Sequence, residues 1–464
     1  MLDDTKDDTM ETDDPDVIVE QLLDAGYEFK STGYRWTIIL LFALNFFGRA
    51  IAQVGFVACA RIIQGMFGVN PIHTTLLVLP FSFSILVLLF PYGKIANTFG
   101  LVIPTRAAVI ALVIGAWVRY FVTSGFGWLI VGQCIIAIGS PLSLIAPAKI
   151  ASIWFPDNQR ALATMIGSLA TPLGSVVGFV IPFIFIQDED GVDTPEAHAK
   201  FKKYILWQNI IIIILSLPIF FFVKNRPLIA PSVSELKDRY TKKGNDTVEI
   251  KQLVTTKNYM LYVFTFAAIH ITFICFGAVM GQLVSVFGFR ATDNQYFGIS
   301  YILFGMVGSF AHASMLDKHK KFRKQIWVII ITNIVAGIIL VATINIGNVV
   351  ITSLVVGIVG IGHLPNIGVG YQFVTEIVYP VGDNLSIGVL QLICCFLGIC
   401  YTFLTATFVK MGWKWVAVLS LIIPPFFSAV LFYFVKEDLK KHRESIRFSE
   451  ARSSMLDSQS DLDG

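Results

Sequence analysis

Charge is what this chain has least of. Asp, Glu, Lys and Arg make up 14% of its 464 residues, against 55% hydrophobic residues and a mean hydropathy of +0.70. So few charges cannot cover a water-soluble surface, which excludes a soluble fold and implies a polytopic membrane protein. Cysteine is also scarce. The six, Cys59, Cys134, Cys275, Cys394, Cys395 and Cys400, fall inside apolar runs with no paired metal-type spacing, so small packing roles are expected and no cofactor is implied. The chain lacks a nucleotide motif, a zinc-ligand spacing and a Ser-His-acid set, which argues against an enzyme, and nothing in it points to nucleic acid. No Asp or Glu lies deep in any long apolar run, so proton coupling through a buried carboxylate is not expected; histidine remains as a titrating group.

What the chain does have is repetition. In the stretch 146–182, Pro156, Asp157, Asn158, Gln159 and Arg160 interrupt two apolar runs, each long enough to cross a bilayer as a helix, which predicts a tight membrane hairpin. The same punctuation returns 224 residues later, where Ile377, Val378, Tyr379 and Pro380 answer Ile153, Trp154, Phe155 and Pro156. Phe67 and Gly68 are matched 220 residues on by Phe287 and Gly288. Apolar segments are read at 36–59, 74–92, 101–121, 128–150, 161–186 and 204–223, and again at 259–287, 296–316, 326–346, 349–372, 385–409 and 413–435.

The expectation is therefore an all-α membrane protein of twelve transmembrane helices in two six-helix pseudo-repeats, the symmetry of the major facilitator fold. The parts would be an acidic cytoplasmic tail at 1–35, a first half at 36–223, a polar cytoplasmic linker at 224–258, a second half at 259–435 and a tail at 436–464. Placing both ends in the cytoplasm puts 26 of the 35 basic residues inside, eight outside and Arg49 alone within a helix. Within the acidic tail, Val17, Ile18, Leu22 and Leu23 could line one side of a short helix, read either as a pre-membrane helix or as a docking segment for a protein partner.

Several blocks narrow the family. GRAIAQVGFVACARIIQGMFGV at 48–69, KIASIWFPDNQRA at 149–161, PLGSVVGF at 172–179, MVGS at 306–309 with Leu316 and Asp317, and EIVYP at 376–380 form one series. Together they resemble the feline leukaemia virus subgroup C receptor-related family, a major facilitator branch also called solute carrier family 49, over about residues 34–440. The resemblance implies a uniporter-like carrier of the plasma membrane or an organelle, with choline and related amines as substrates and haem as an older assignment. It also implies a choline cage. Where that cage has a Trp, a Tyr and two Gln, this chain has Gln53, Ile274, Pro172 and Cys395. A quaternary ammonium seeks aromatic faces, so fold and alternating access carry over here and choline does not. The superfamily's signature between the second and third helices is degenerate, as Gly93, Asn97, Thr98 and Gly100.

The polar residues inside the spans suggest a substrate site. Asn45, Arg49 and Gln53 recur every four residues and form one stripe on the first helix. Gln133 in the fourth, His270 in the seventh, His363 and Asn366 in the tenth and Gln391 in the eleventh complete the set of candidate binding residues. An Arg at mid-membrane costs about 2.5–3.5 kcal/mol to insert, which suggests a purpose: bidentate binding of an anionic group on a small organic solute. Packing or gating is the alternative. For gating, Asn97, Arg160, Asp317 and Glu376 are the candidates, with Lys149 as a partner. A membrane subunit or receptor that keeps the fold without moving a solute is the competing function.

Overall fold

Inside hydrocarbon a backbone must satisfy its own N–H and C=O groups, and each apolar run does so as a helix. The computed structural model describes residues 17, 18, 27, 29–156, 159–240, 246–319, 321–378, 381 and 383–437. Among these there is no strand, and 12 helices are long and apolar enough to span a membrane. They are α1 Tyr34–Ala58, α2 Leu79–Thr98, α3 Val102–Ser124, α4 Phe126–Trp154, α5 Leu162–Phe185 and α6 Pro195–Phe222, then α7 Lys257–Ser285, α8 Ala291–Leu316, α9 Phe322–Ile346, α10 Val349–Val378, α11 Leu385–Lys410 and α12 Lys414–Phe434. Every span read from the sequence is present.

Local chemistry sets the ends. Thr194 accepts from the Ala197 N–H at 3.3 Å and Pro195 opens α6, while Asn348 accepts from Val350 and Ile351 to open α10. The matched glycines Gly68 and Gly288 both take positive φ, 61° and 91°, so the repeat extends to backbone conformation at these turns. α1 and α5 pack closely because Gly174 and Gly178 lack a Cβ: at Gly174 one would strike the Phe47 carbonyl, and at Gly178 one would sit 3.3 Å from the Ile51 Cα.

The segment 224–258, expected as a polar linker, holds two helices that its sequence pattern did not suggest, Val233–Tyr240 and Asp246–Thr255. Ala230 and Leu236 form a small apolar cluster against Tyr27, and Glu235, 2% exposed, takes two hydrogen bonds from the Arg239 Nε. Arg119, which the sequence reading did not single out, is fully buried at the end of an α-helical stretch that passes into a 3-10 turn at Tyr120–Ser124. Most of the acidic tail, including Leu22 and Leu23, lies outside the described residues, as do Asp157, Asn158, Tyr379 and Pro380.

The apolar core divides unevenly. One cluster joins both halves near the C-terminal ends of α1, α5 and α7, with Phe56, Phe179, Phe276, Met280 and Phe297 in it. Toward the other end each half keeps its own cluster, around Phe42 and Trp154 in one and Tyr262 and Phe373 in the other. Among the described residues, the hydrogen bonds joining the halves gather at the shared end. Asp188 accepts from the Ala291 and Thr292 N–H groups and from the Thr292 hydroxyl, Gln282 donates to Thr74 and Thr75, and Asn294 donates to the carbonyls of Val57 and Ala58. Beside this junction, burial would raise the Asp190 pKa, but the Lys200 ammonium at 2.8 Å and the Gln187 N–H together hold it below the usual carboxylate range.

Candidate substrate site

The second half brings three of the sequence-selected residues, His270, His363 and Gln391, into one polar and aromatic cluster. On α7, the His270 ring stacks between Phe266 and Phe273, at centroid distances of 5.2 and 5.3 Å. Its Nε2 lies 3.3 Å from the Gln391 Nε2 on α11, and the Tyr371 hydroxyl on α10 donates to the Gln391 Oε1 at 2.8 Å. The Gln391 amide also reaches the Sγ of Cys395, one turn on, at 3.6 Å. His363 on α10 sits between two hydroxyls, Thr272 of α7 at 3.0 Å and Tyr301 of α8 at 2.8 Å. Phe273 is half-buried and its ring faces both histidines, so it forms a wall they share. Asn366, 4% exposed, has a buried Nδ2 with no partner among the described residues.

The first half uses its polar residues differently. Arg49 is 3% exposed; its Nη2 donates to the Ala108 carbonyl of α3 at 3.1 Å and its Nη1 to the Ile136 carbonyl of α4. The Ile136 carbonyl is accessible because α4 breaks into Phe126–Ala137 and Ser140–Trp154, and Gly139 at the break leaves room for the guanidinium. Arg49 is therefore partly committed: each terminal nitrogen gives one hydrogen bond to a carbonyl, while its buried Nε has no partner among the described residues. Gln133 is likewise committed within its half. Its Nε2 donates to the carbonyls of Ala52 and Leu77, each at 3.1 Å, and its Oε1 accepts from Arg119 at 3.3 Å. Arg119 also donates to Asn209 and lies over the Phe56 ring. Asn45 is fully buried, with neither amide atom partnered among the described residues, and Gln53 is half-buried.

Of the gating candidates, Asn97 accepts from the Lys149 Nζ, tying α2 to α4. Arg160 donates to the Ser152 carbonyl and to the Ser232 hydroxyl, holding the α4–α5 hairpin against the segment after α6. Glu376 is half-buried near the end of α10. The side chain of Asp317 lies outside the described residues.

Sequence reasoning missed Tyr301, Tyr371 and Thr272. Aromatic and Thr residues in an apolar helix read as packing, and the only signal was that a buried His requires partners. Among the described residues no group of His, Cys, Asp and Glu could hold a metal ion.

Comparison with known proteins gives a consistent result. The Major Facilitator Superfamily profile matches residues 38–403. The chain is 23% identical to the choline/ethanolamine transporter FLVCR1 of Felis catus over 422 residues, covering 89% of this chain and 74% of that protein. It is 23% identical to the choline/ethanolamine transporter FLVCR2 of Homo sapiens over 420 residues, covering 88% and 78%. In fold it is similar to an inward-facing, unoccupied bacterial homologue of the human lysosomal transporter Spinster, with TM-score 0.67 and 15% identity over 89% of this chain and 99% of that one. It is also similar to the E. coli fucose:proton symporter FucP, with TM-score 0.57 and 14% identity over 87% and 98%.

Proposed function

Because the chain belongs to the Major Facilitator Superfamily, and is thus a multi-pass membrane transporter of a small solute, we propose that its solute is a small organic amine bound against the α7–α10–α11 wall. The observation that carries this reading is the chemistry of that wall. Phe266, His270, Phe273 and Tyr301 form a line of stacked rings, and Tyr371 and Gln391 lie beside it. An ammonium over an uncovered Phe or Tyr face gains about 0.5–2 kcal/mol. The named relatives carry choline and ethanolamine, which supports the same class. The four replaced positions of the cage that the family resemblance implies remain a difference, and Gln391, a turn before Cys395, supplies an amide near one of them. Arg49 gives one N–H of each terminal nitrogen to the Ala108 and Ile136 carbonyls, which favours a structural role for it over an anion site.

On this proposal the halves 36–223 and 259–435 rock about the central site. Both ends lie in the cytoplasm, most simply at the plasma membrane, and the joined end faces outward. Asn45, Gln53, His363 and Asn366 complete the site; Arg49 and Gln133 hold the first half in shape; Asn97, Arg160, Asp317 and Glu376 belong to the cytoplasmic gate. A binding screen tests the substrate class. Purified protein in nanodiscs should be thermally stabilised by choline or ethanolamine and not by small carboxylates or phosphate. Stabilisation by the anions alone would overturn the proposal.

A further inference from the structure

The two histidines of this cluster differ in one respect: His363 has both ring nitrogens partnered, whereas the His270 Nδ1 has no partner among the described residues. The Thr272 hydroxyl gives its proton to the Ile269 carbonyl at 2.6 Å, so it accepts from the His363 Nε2–H, and Tyr301 donates to the His363 Nδ1. His363 is thereby a strut across α7, α8 and α10. At His270 the logic leads elsewhere. The Gln391 Oε1 can only accept, so Tyr371 donates to it; the Gln391 Nε2 can only donate, so the His270 Nε2 accepts. A neutral imidazole carries one proton, which is left on Nδ1. That nitrogen has no partner among the described residues, on a side chain 3% exposed.

We infer that Tyr371 and Gln391 hold His270 as its Nδ1–H tautomer so that it donates a hydrogen bond to an acceptor oxygen on the transported solute, an inference that rests on the amine reading above. A buried donor without a partner is costly, and stacking between Phe266 and Phe273 at interplanar angles of 24° and 26° keeps the ring from turning away. The Asn366 Nδ2 is a second unpaired donor on α10. Two spare donors beside aromatic faces suit a solute with an ammonium at one end and a hydroxyl or carbonyl oxygen at the other. His270 then determines specificity among amines, and Tyr371 and Gln391 are positioning residues.

The test uses full-length protein in nanodiscs, labelled with 15N-histidine. His270→Phe keeps a ring in the stack and identifies the His270 signals among those of seven histidines. The wild type should show a protonated Nδ1 at His270. In Gln391→Glu the carboxylate can only accept, so the proton should move to Nε2. Binding is measured with choline and with n-propyltrimethylammonium, which puts a methyl where choline has its hydroxyl. The wild type should prefer choline by about tenfold or more, and the preference should vanish in both variants. A protonated Nε2 in the wild type, or equal affinity for the two probes, overturns the inference without any reliance on a variant. Failure of both probes to bind would sink the amine reading and the donor role with it, whereas binding without discrimination sinks the donor role alone.

Discussion

Where α4 breaks at Gly139, the Ile136 carbonyl accepts a long 3.4 Å bond from the Gly139 N–H, and the Arg49 guanidinium supplies a further donor. Charge at this depth is tolerated because it repairs backbone, with no carboxylate involved. Arg49→Gln should therefore act on stability more than on substrate. Losing the charge-assisted donations to the Ala108 and Ile136 carbonyls costs about 1.5–3 kcal/mol each. The expected result is a lower melting temperature in detergent with the KM of any residual transport unchanged. A large rise in KM at normal stability would return Arg49 to the binding site. The sequence singled out His270, His363 and Gln391 because polar groups are rare in these spans. It could not reveal that Arg49 faces a helix break, because the break depends on how α3 and α4 pack around Gly139. Nor did it reveal Arg119, which lies two residues before the end of the span read at 101–121 and is fully buried.

At the scale of helices, the contact between α1 and α5 depends on two absent side chains. Gly174→Ala should push a methyl into the Phe47 carbonyl and lower the yield of folded protein, because backbone atoms cannot move aside as a flexible side chain can. Gly127→Ala, with nothing within 4 Å of the added Cβ, is the control and should fold normally. Equal yields would show that the helices tolerate a wider spacing. The spans themselves were legible, since a run of about 20 apolar residues has few alternatives in a bilayer. The helices Val233–Tyr240 and Asp246–Thr255 were not, because their pattern is polar and the first is held by tertiary partners, Tyr27 against Ala230 and Arg160 on Ser232.

For the whole molecule, the matched turns at Gly68 and Gly288 and the separate cores at one end describe two halves joined mainly at the other. Asp188 accepting from Ala291 and Thr292 is part of that junction, and alternating access requires it to open. A protein carrying Asp188→Cys and Thr292→Cys should lose transport when oxidised and regain it with a reducing agent. Full transport with the disulfide shown to be present by mass spectrometry would contradict rocking about this junction. The central claim, an amine carried past the α7 wall, is tested most directly by uptake of radiolabelled ethanolamine and choline into proteoliposomes. The account predicts saturable uptake of at least one, unaffected by excess small carboxylate and reduced about tenfold by Phe273→Ala in correctly folded protein, from the loss of one aromatic face. No saturable uptake of either amine by active vesicles, or uptake indifferent to Phe273→Ala, would contradict it.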